Sequence, residues 1–481
     1  MAAGLLPASC DEGPAPQEPR ADPVVRLLSP DRVTPGQAVT IAGFNFGDDA
    51  AAVTVTFGGR PGSIVTVEPE RIVALLPADA APGPTPVVVR VSDGPAVEAG
   101  AVTVVLPSGA FTSVSAGGGF TCGIRAAAGA YCWGSGARGA LGDEGADTAT
   151  PVPVPVSGGT DFVSVSAGSA HACALDTAGS AFCWGSNDFG QLGVGAGGDA
   201  ARPVPVGGGL AFATISAGFA HTCAVTPGGS AYCWGANESG QLGDGSRESR
   251  GSPAAVSGDV RFASVSAGGV HTCGRAADGR AYCWGDNGQG ELGTGSRTDS
   301  TIPVEVAGGL AFDVVVAGNS PAAGLESVGE HSCGVARDGR AYCWGYNGKG
   351  QLGNGSLSSS ELPVPVSSEI PFREISAGAF YTCAITSASE GRCWGQNDSI
   401  QLGSGATNAI LPFPVLVLGA LRLTSVSAGE ASKAVLEGAR THTCGMDQSG
   451  TIYCWGSNRE GQLGSGSLGV SSLPVPVGTP E

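Results

Sequence analysis

Charged residues are scarce in this chain, and positive charge is scarcer than negative charge. Only 14% of the 481 residues are charged, with 24 Lys and Arg against 42 Asp and Glu, which gives a net charge of −18. No segment is rich in basic residues. We therefore expect no binding to nucleic acid and no attraction to anionic lipid.

Long apolar runs are also missing, because no stretch reaches the roughly 20 residues that a membrane-spanning helix needs. Methionine occurs twice and histidine five times, whereas glycine occurs 81 times and proline 32 times. This composition is typical of a turn-rich β protein rather than of a helical one. The length allows two or three domains.

Cysteine, by contrast, is plentiful and regularly spaced. Fourteen of the fifteen cysteines form seven pairs whose members are ten residues apart. Such pairing favours disulfides and an oxidising compartment outside the cytoplasm. The predicted pairs are Cys122 and Cys132, Cys173 and Cys183, Cys223 and Cys233, Cys273 and Cys283, Cys333 and Cys343, Cys383 and Cys393, and Cys444 and Cys454.

The third copy, residues 218–235, shows why the cysteines should meet. Pairing Cys223 with Cys233 leaves a three-residue turn, and turns of this length favour a left-handed residue, usually glycine, at the third position. Gly229 occupies that position, and four other copies also have glycine there. This register places the cysteines opposite each other at disulfide distance. The turn glycine is displaced in the first and sixth copies, so we expect irregular hairpins there.

Each of the five histidines precedes a cysteine by two residues, a spacing that could indicate zinc. Phe120 and Tyr381 replace the histidine in two copies that keep both cysteines, so the cysteines do not depend on it. We therefore expect no metal and no other cofactor. We predict a repeated hydrogen bond to the backbone, at the start of a strand, for His171, His221, His271, His331 and His442.

Seven tryptophans mark seven copies of one repeat, with spacings of 51, 50, 50, 60, 50 and 61 residues. Each copy predicts four strands: a small-residue strand such as 212–218, the two strands of the cysteine hairpin, and a proline-containing strand such as 203–206. Four such strands form one propeller blade. Residues 111–478 therefore predict a seven-bladed β-propeller, with the small-residue strand innermost and the proline-containing strand at the outer edge.

The repeat motif Trp-Gly-x-Asn-x-x-Gly-Gln-Leu-Gly at 234–243, the His-Thr pair before the first cysteine and the Pro-Val-Pro-Val strand resemble the RCC1 repeat family. The resemblance covers residues 111–478 and implies a seven-bladed propeller. Known roles in that family include nucleotide exchange on a small GTPase, chromatin binding and inhibition of secreted β-lactamases. The repeat alone transfers none of these roles.

Residues 24–106 lack cysteine and contain short alternating segments that predict a small β-sandwich. The strings Ile-Ala-Gly-Phe-Asn-Phe-Gly at 41–47 and Phe-Gly-Gly at 57–59 resemble the IPT/TIG family of immunoglobulin-like domains. The resemblance implies a spacer or contact module, and we find no catalytic constellation in this region.

Cys10 is the unpaired cysteine, and residues 1–23 predict an N-terminal segment followed by a linker. The preceding Leu-Leu-Pro-Ala-Ser resembles a bacterial lipoprotein box, which implies acylation of Cys10. Pro7 stands where such boxes usually have an aliphatic residue, and residues 1–9 lack a basic start. The alternative is a disordered tail with a stray thiol. We expect membrane contact only through this anchor.

Two copies carry ten extra residues at the same place, between the small-residue strand and the hairpin. These inserts, 319–330 and 430–441, belong to the fifth and seventh blades and are predicted to rise near one mouth of the central channel. They indicate a partner-contact rim, or else tolerated loop variation. The candidate rim residues are Asn319, Glu326, Glu330, Glu430, Lys433, Glu437 and Arg440, and the four glutamates are expected to be solvated rather than catalytic.

The sequence thus predicts an all-β protein in which a small immunoglobulin-like β-sandwich precedes a seven-bladed β-propeller. We expect a secreted or surface-tethered bacterial protein, monomeric and non-catalytic, that binds a protein or a glycan. A guanine-nucleotide exchange factor is the first alternative, and the cysteines oppose it because small GTPases lie in the reducing cytosol. An inhibitor of a secreted hydrolase such as a β-lactamase is the second alternative. An enzyme is the least favoured.

Overall fold

The computed structural model describes residues 22–29, 32–33, 38–77, 80, 83–104, 109–126, 129–145, 147–158, 161–195, 197–319, 330–430 and 441–478. The chain divides into two compact units, Met1–Leu106 and Pro107–Glu481. Within the described ranges, two short 3-10 helices, Ala50–Ala52 and Ala137–Gly139, are the only helical elements. The predicted all-β class is therefore confirmed.

The first unit is a sandwich of two sheets, with strand orders β1-β3-β7-β6 and β2-β9-β8-β4-β5. Its strands are β1 (Val24–Ser29), β2 (Arg32–Val33), β3 (Ala38–Phe44), β4 (Val53–Phe57), β5 (Arg60–Pro61), β6 (Ser63–Glu68), β7 (Arg71–Leu75), β8 (Gly83–Val91) and β9 (Val97–Val104). The inner strands bury alternate residues, such as Val39 and Ile41 on β3.

The second unit consists of seven four-stranded antiparallel sheets, each made of four consecutive strands, as predicted for a seven-bladed propeller. Blades one to four are β10 (Phe111–Ala116), β11 (Phe120–Arg125), β12 (Gly129–Gly134) and β13 (Thr150–Pro155); β14 (Phe162–Ala167), β15 (His171–Asp176), β16 (Ala181–Gly185) and β17 (Ala200–Pro205); β18 (Thr214–Ala217), β19 (His221–Val225), β20 (Ala231–Gly235) and β21 (Arg250–Ala255); and β22 (Phe262–Ala267), β23 (His271–Ala276), β24 (Ala281–Gly285) and β25 (Ser300–Glu305).

Blades five to seven continue the same pattern. They are β26 (Phe312–Ala317), β27 (His331–Ala336), β28 (Ala341–Gly345) and β29 (Ser360–Pro365); β30 (Phe372–Ala377), β31 (Tyr381–Thr386), β32 (Gly391–Gln396) and β33 (Ile410–Leu416); and β34 (Leu423–Ala428), β35 (His442–Asp447), β36 (Ile452–Gly456) and β37 (Ser471–Pro476). Because β37 completes blade seven, the ring closes by packing of blade seven against blade one, without exchange of a strand.

The cysteine hairpins have the predicted register. Cys223 lies opposite Cys233, and Gly229 has a φ of +84° at the third turn position. The sixth hairpin was expected to be irregular, and that expectation is wrong. Ser389 takes the left-handed position there, with a φ of +65°, and Cys383 still pairs with Cys393. A serine can therefore accept the strained conformation when the rest of the hairpin fixes it.

The small-residue strands line the axis, because the first strands of neighbouring blades contact one another. A serine hydroxyl on one first strand accepts a hydrogen bond from the backbone of the next, as from Ala167 N to Ser115 Oγ at 2.9 Å. The last such bond runs from Ala116 N to Ser427 Oγ, also at 2.9 Å, and joins blade one to blade seven. The proline-containing strands form the outer edges.

The seven tryptophans fix each blade to the blade before it. All seven are fully buried, and every indole N–H donates to a backbone carbonyl in the loop of the preceding blade. Trp184 donates to Ala140 O at 3.0 Å, and Trp133 donates to Gln462 O at 3.0 Å across the ring closure. The regular spacing of tryptophan therefore reflects one bond per blade junction.

Candidate functional site at the channel mouth

The two ends of the propeller differ in the loops they carry. Because successive strands in a blade are antiparallel, the connections from first to second strand and from third to fourth strand lie at the same end. We call that end the loop face and the opposite end the turn face. The channel mouth is the ring of first-to-second connections on the loop face: residues 117–119, 168–170, 218–220, 268–270, 318–319, 378–380 and 429–430.

Three of the seven predicted rim residues lie at the bases of the two inserts. Asn319 and Glu330 flank the insert of blade five, and Glu430 begins that of blade seven. The remaining four, and Cys10, lie outside the residues that the structure describes. These are Glu326, Lys433, Glu437 and Arg440, and their role as rim residues stays a prediction.

Glu330 and Glu430 were expected to be solvated, and that expectation is wrong. Their exposed fractions are 1% and 5%. Both carboxyls sit where the insert joins the repeat, so they pack inside the mouth rather than project from it. The sequence signal that could have indicated burial is their position, since Glu330 directly precedes the repeat histidine His331 and Glu430 directly follows the repeat glycine Gly429.

The histidines make a different hydrogen bond from the one predicted. In each case Nε2 lies 2.7–2.9 Å from a hydroxyl oxygen on the second strand of the next blade, and no backbone atom is the partner of that nitrogen. The hydroxyls belong to Thr222, Thr272, Ser332, Thr382 and Thr121. Burial lowers the pKa of His171, His221, His331 and His442 to about 3, so these four are neutral bridges between blades.

His271 differs from the other four histidines because it meets a carboxylate. Glu330 Oε2 contacts His271 Nδ1 in a short ion pair, and Glu330 Oε1 accepts from Val270 N at 2.8 Å. Burial opposes the charged imidazole, but the Glu330 carboxylate outweighs it, so the pKa of His271 is raised. A buried ion pair thus fastens the end of the first insert to blade four.

Ser332 contacts His271, and His271 contacts Glu330, so the three side chains are connected in the order serine, histidine, carboxylate of a hydrolase catalytic triad. However, Ser332 Oγ donates to Glu291 O at 2.9 Å, so its proton is not directed at His271. Ser332 and His271 are fully buried, and the same histidine-to-hydroxyl bond recurs at four other blade junctions. We therefore interpret the trio as a structural connection between blades.

Asn319 and Glu430 are both buried at the channel mouth, on blades five and seven. The Asn319 amide favours the ionised form of Glu430, whereas burial, the larger effect, raises the pKa of Glu430 well above its ordinary value, and Glu330 raises it further. Neither amide atom of Asn319, nor Glu430 Oε2, completes a hydrogen bond of good geometry. Glu430 is anchored through its backbone, which donates to Gly117 O at 3.3 Å.

Glu291 is a further buried acid that the sequence reasoning missed. It stands where five other copies have glutamine in the Gly-Gln-Leu-Gly motif. Burial raises its pKa to about 7, and Oε2 accepts from Gln289 N at 2.8 Å, as the glutamine oxygen does elsewhere. Glu291 is the one acidic residue at this position, since the first copy has Ala140 there, and that substitution was a readable signal.

All seven predicted disulfides are present. The paired Cα atoms are 4.0–4.1 Å apart, and all fourteen cysteines are fully buried. A reductant therefore reaches them only when a blade opens.

The turn face carries a groove of about 600 Å³ between blades five and six. Arg340, Asp338 and Tyr342 line one side, and the partly exposed Ile370 lines the other. Across the part of the chain that the structure covers, no three His, Cys, Asp or Glu side chains come together as metal ligands would. Over the same residues, no helix has the length and hydropathy to span a bilayer.

The seven blades, their interblade tryptophan bonds and the absence of strand exchange define a seven-bladed β-propeller that follows an immunoglobulin-like sandwich. The family model described as RCC1-like domain matches residues 90–435, the IPT/TIG domain matches residues 23–106, and the RCC1 repeat matches residues 440–462. The chain belongs to the RCC1-like domain family and carries an N-terminal IPT/TIG domain.

Solved structures agree on the fold. Yeast RCC1 (Prp20), in a crystal structure with Kap60, is 19% identical with a TM-score of 0.61, over 78% of this chain and 85% of that chain. Human WBSCR16 is 22% identical with a TM-score of 0.60, over 79% of this chain and 96% of that chain. A second structure, of Prp20p from Saccharomyces cerevisiae, was described together with its binding to Gsp1p and histones.

Proposed function

We propose that this protein is an extracytoplasmic, non-catalytic bacterial binding protein, in which the propeller holds a protein or glycan partner at the channel mouth. A propeller of this family suits a role as a protein-interaction platform. The observation that supports an extracytoplasmic location is the set of seven buried disulfides, one in every blade. Cytosolic proteins rarely form such bonds.

The channel mouth is the favoured contact surface because both ten-residue departures from the repeat length lie there. Both inserts leave the propeller there, and their bases carry Asn319, Glu330 and Glu430 in place of the small or apolar residues of other blades. Departures from a regular scaffold in its connecting loops are where binding residues concentrate.

Two deletions test the role of the mouth. Removing residues 320–329 leaves Gly-Asn-Glu-His, and removing residues 431–440 leaves Gly-Glu-Thr-His, so both variants regain the Gly-x-x-His spacing of blades two to four. We expect each variant to keep the thermal midpoint of the parent and to lose capture of the partner from the surface and secreted fractions of the native host. Undiminished capture by both variants would move the contact to another surface, such as the turn-face groove.

A guanine-nucleotide exchange factor is the alternative that the Prp20 neighbours favour. The disulfides oppose it, since the small GTPase would have to be met in the reducing cytosol. Release of labelled GDP from a panel of small GTPases, accelerated by the oxidised protein, would support this alternative against ours.

An inhibitor of a secreted hydrolase such as a β-lactamase is a special case of the same platform. It requires the channel mouth to fit an enzyme cleft. Activity assays of secreted hydrolases with and without the two deletion variants distinguish this case. Light scattering tests the expected monomer.

A further inference from the structure

The turn-face groove lies between the hairpin turn of blade five and the connection that leads to blade six. Asp338, Arg340 and Tyr342 form one wall, and Ile370 and Pro371 form the other. The groove encloses about 600 Å³, and sites for small molecules typically enclose about 300–1,000 Å³. It therefore has the size of a ligand site, with polar and apolar groups on its walls.

Blade four has the same turn, but there the aromatic ring beside it is covered. The Asp-Gly-Arg turn at 278–280 repeats the one at 338–340. Arg280 donates to Glu305 Oε2 at 3.1 Å, and its guanidinium lies 5.5 Å from the centre of the Tyr282 ring. Tyr282 is only 8% exposed. The ion pair therefore holds the arginine over the ring and leaves little of the ring for a ligand.

A single change of residue uncovers the ring in blade five. Pro365 takes the place of Glu305 and lies opposite Tyr342 of the neighbouring strand. A proline has no carboxylate to hold an arginine over the ring. The guanidinium of Arg340 instead lies 3.8 Å from Asp338, and its side chain is 74% exposed. Tyr342 is half-buried and lines the groove.

The connection that forms the second wall also differs between the two blades. In blade four it passes through Gly308 and Gly309, with φ values of +101° and +63°. Ser368 and Glu369 replace these glycines in blade five, and neither of these described residues has a left-handed φ. The Ser368 hydroxyl accepts from Ile370 N at 3.2 Å and donates to Ile370 O at 3.1 Å. The connection of blade five is therefore fixed along its own path, with Ile370 partly exposed at the groove.

We propose that the turn-face groove binds one neutral sugar unit of a glycan. The C–H face of the sugar packs on Tyr342 and Pro371, and its hydroxyls bind Asp338 and Arg340. This site lies at the opposite end of the propeller from the channel mouth, and it does not depend on the partner proposed there.

The charges of the groove favour a neutral ligand. Its charged groups are the carboxylates of Asp338 and Glu369 and the guanidinium of Arg340. A ligand with a full charge of either sign would meet a like charge in the groove, which opposes binding. A ligand that donates and accepts hydrogen bonds without a net charge can use both kinds of group.

A sugar ring matches both the polar and the apolar parts of the groove. Each hydroxyl donates and accepts, so neighbouring hydroxyls can donate to the Asp338 carboxylate and accept from the Arg340 guanidinium. The C–H face of the ring is apolar and can pack on Pro371 and on the ring of Tyr342, since tyrosine combines an apolar body with a polar end.

Saturation-transfer NMR of the full-length oxidised protein tests the site, because it detects ligands that bind with millimolar affinity. The neutral probes are the methyl glycosides of glucose, galactose, mannose and N-acetylglucosamine. Glucuronate and glucosamine are the charged probes, and trialanine is the peptide probe. We expect saturation transfer to at least one neutral glycoside, and weaker transfer to the charged sugars and to trialanine.

Pro365→Glu should close the groove. It places a carboxylate where blade four has Glu305, so Arg340 should be drawn over the ring of Tyr342. The affinity for the neutral glycoside should fall by about tenfold, because a charged hydrogen-bond donor and an apolar face are both withdrawn.

Pro476→Glu is the matched control for the added carboxylate. Pro476 ends the outer strand of blade seven as Pro365 ends that of blade five, and it also lies opposite a tyrosine. Thr451 stands in blade seven where blade five has its arginine. This variant should therefore bind the glycoside with the wild-type affinity.

Arg340→Ala removes the same donor without adding a charge, and the exposure of this side chain makes a loss of folding unexpected. It should weaken binding by about tenfold, whereas Arg280→Ala, in the corresponding turn of blade four, should not. The proposal is overturned if no neutral glycoside receives saturation, if a charged sugar or trialanine receives more, or if Pro365→Glu and Arg340→Ala both keep the wild-type affinity. Should Pro365→Glu fail to fold, equal binding by Arg340→Ala and Arg280→Ala would overturn the proposal by itself.

Discussion

Replacing His271 by alanine should destabilise the propeller more than the same change at His221, and the excess should depend on pH. Both histidines are fully buried, and both place Nε2 2.8 Å from a hydroxyl of the next blade. The two variants therefore lose the same bond and open a similar cavity. They differ in one respect, because only His271→Ala leaves a carboxyl, that of Glu330, buried without its partner.

Linkage sets the size of the excess. Without His271, Glu330 must be protonated to stay buried, which costs about 1.4 kcal/mol per pH unit above its unfolded pKa of 4.5. At pH 7.5 the excess destabilisation of His271→Ala can therefore reach about 4 kcal/mol, which is within the range of about 3–5 kcal/mol for a broken buried pair. Because the folded-state pKa is raised, the excess shrinks as pH falls toward about 4.5.

Urea unfolding of the oxidised variants, followed by tryptophan fluorescence, measures this difference at pH 7.5 and at pH 5. Glu330→Gln is the informative third variant. It should cost only about 1 kcal/mol, because His271 can then become a neutral bridge like the other four histidines. Equal destabilisation of His271→Ala and His221→Ala at both pH values would refute the account of the buried pair.

Three further changes have expected outcomes. Replacing Cys223 and Cys233 together by alanine should cost about 3 kcal/mol through loss of loop closure, seen as a lower thermal midpoint in oxidised but not in reduced protein. Glu291→Gln restores the repeat motif, and because the pKa of Glu291 is raised from 4.5 to about 7, it should raise the thermal midpoint more at pH 8.5 than at pH 5.5. Ser427→Ala removes the hydroxyl that accepts from Ala116 N at the ring closure, and it should lower the free energy of unfolding in urea by about 1 kcal/mol. Adding Ser376→Ala removes the hydroxyl that accepts from Ala428 N. A second loss of equal size would show that the bond at the ring closure is not special.

The fold could be predicted almost completely because the same short-range rules act seven times. The turn glycine and the ten-residue spacing determine the hairpin register in five copies, and Cys223 lies opposite Cys233 as expected. In the first unit, the alternating segments do not extend to strands β1, β2, β5 and β6, which the sequence therefore does not predict. All four lie at sheet edges, where one neighbour is absent and the apolar alternation is weak.

The candidate site was harder to predict because its chemistry depends on contacts between different blades. Nothing local indicates that Glu330 pairs with His271 of another blade, or that Asn319 and Glu430 are buried. The predicted hydrogen bond from the histidines to the backbone was wrong for the same reason, since their hydroxyl partners lie about one repeat away in sequence. The inserts themselves were visible as departures from the repeat length.

Peptide mapping of protein isolated from its native host, non-reduced and with free thiols blocked, tests the central claim most directly. We expect seven linked peptides, each joining two cysteines ten residues apart, and Cys10 blocked by a lipid if it is acylated. That result would place the protein outside the cytoplasm and turn the search to surface partners. Fourteen free thiols would contradict the claim, and the exchange-factor alternative would then be the one to pursue.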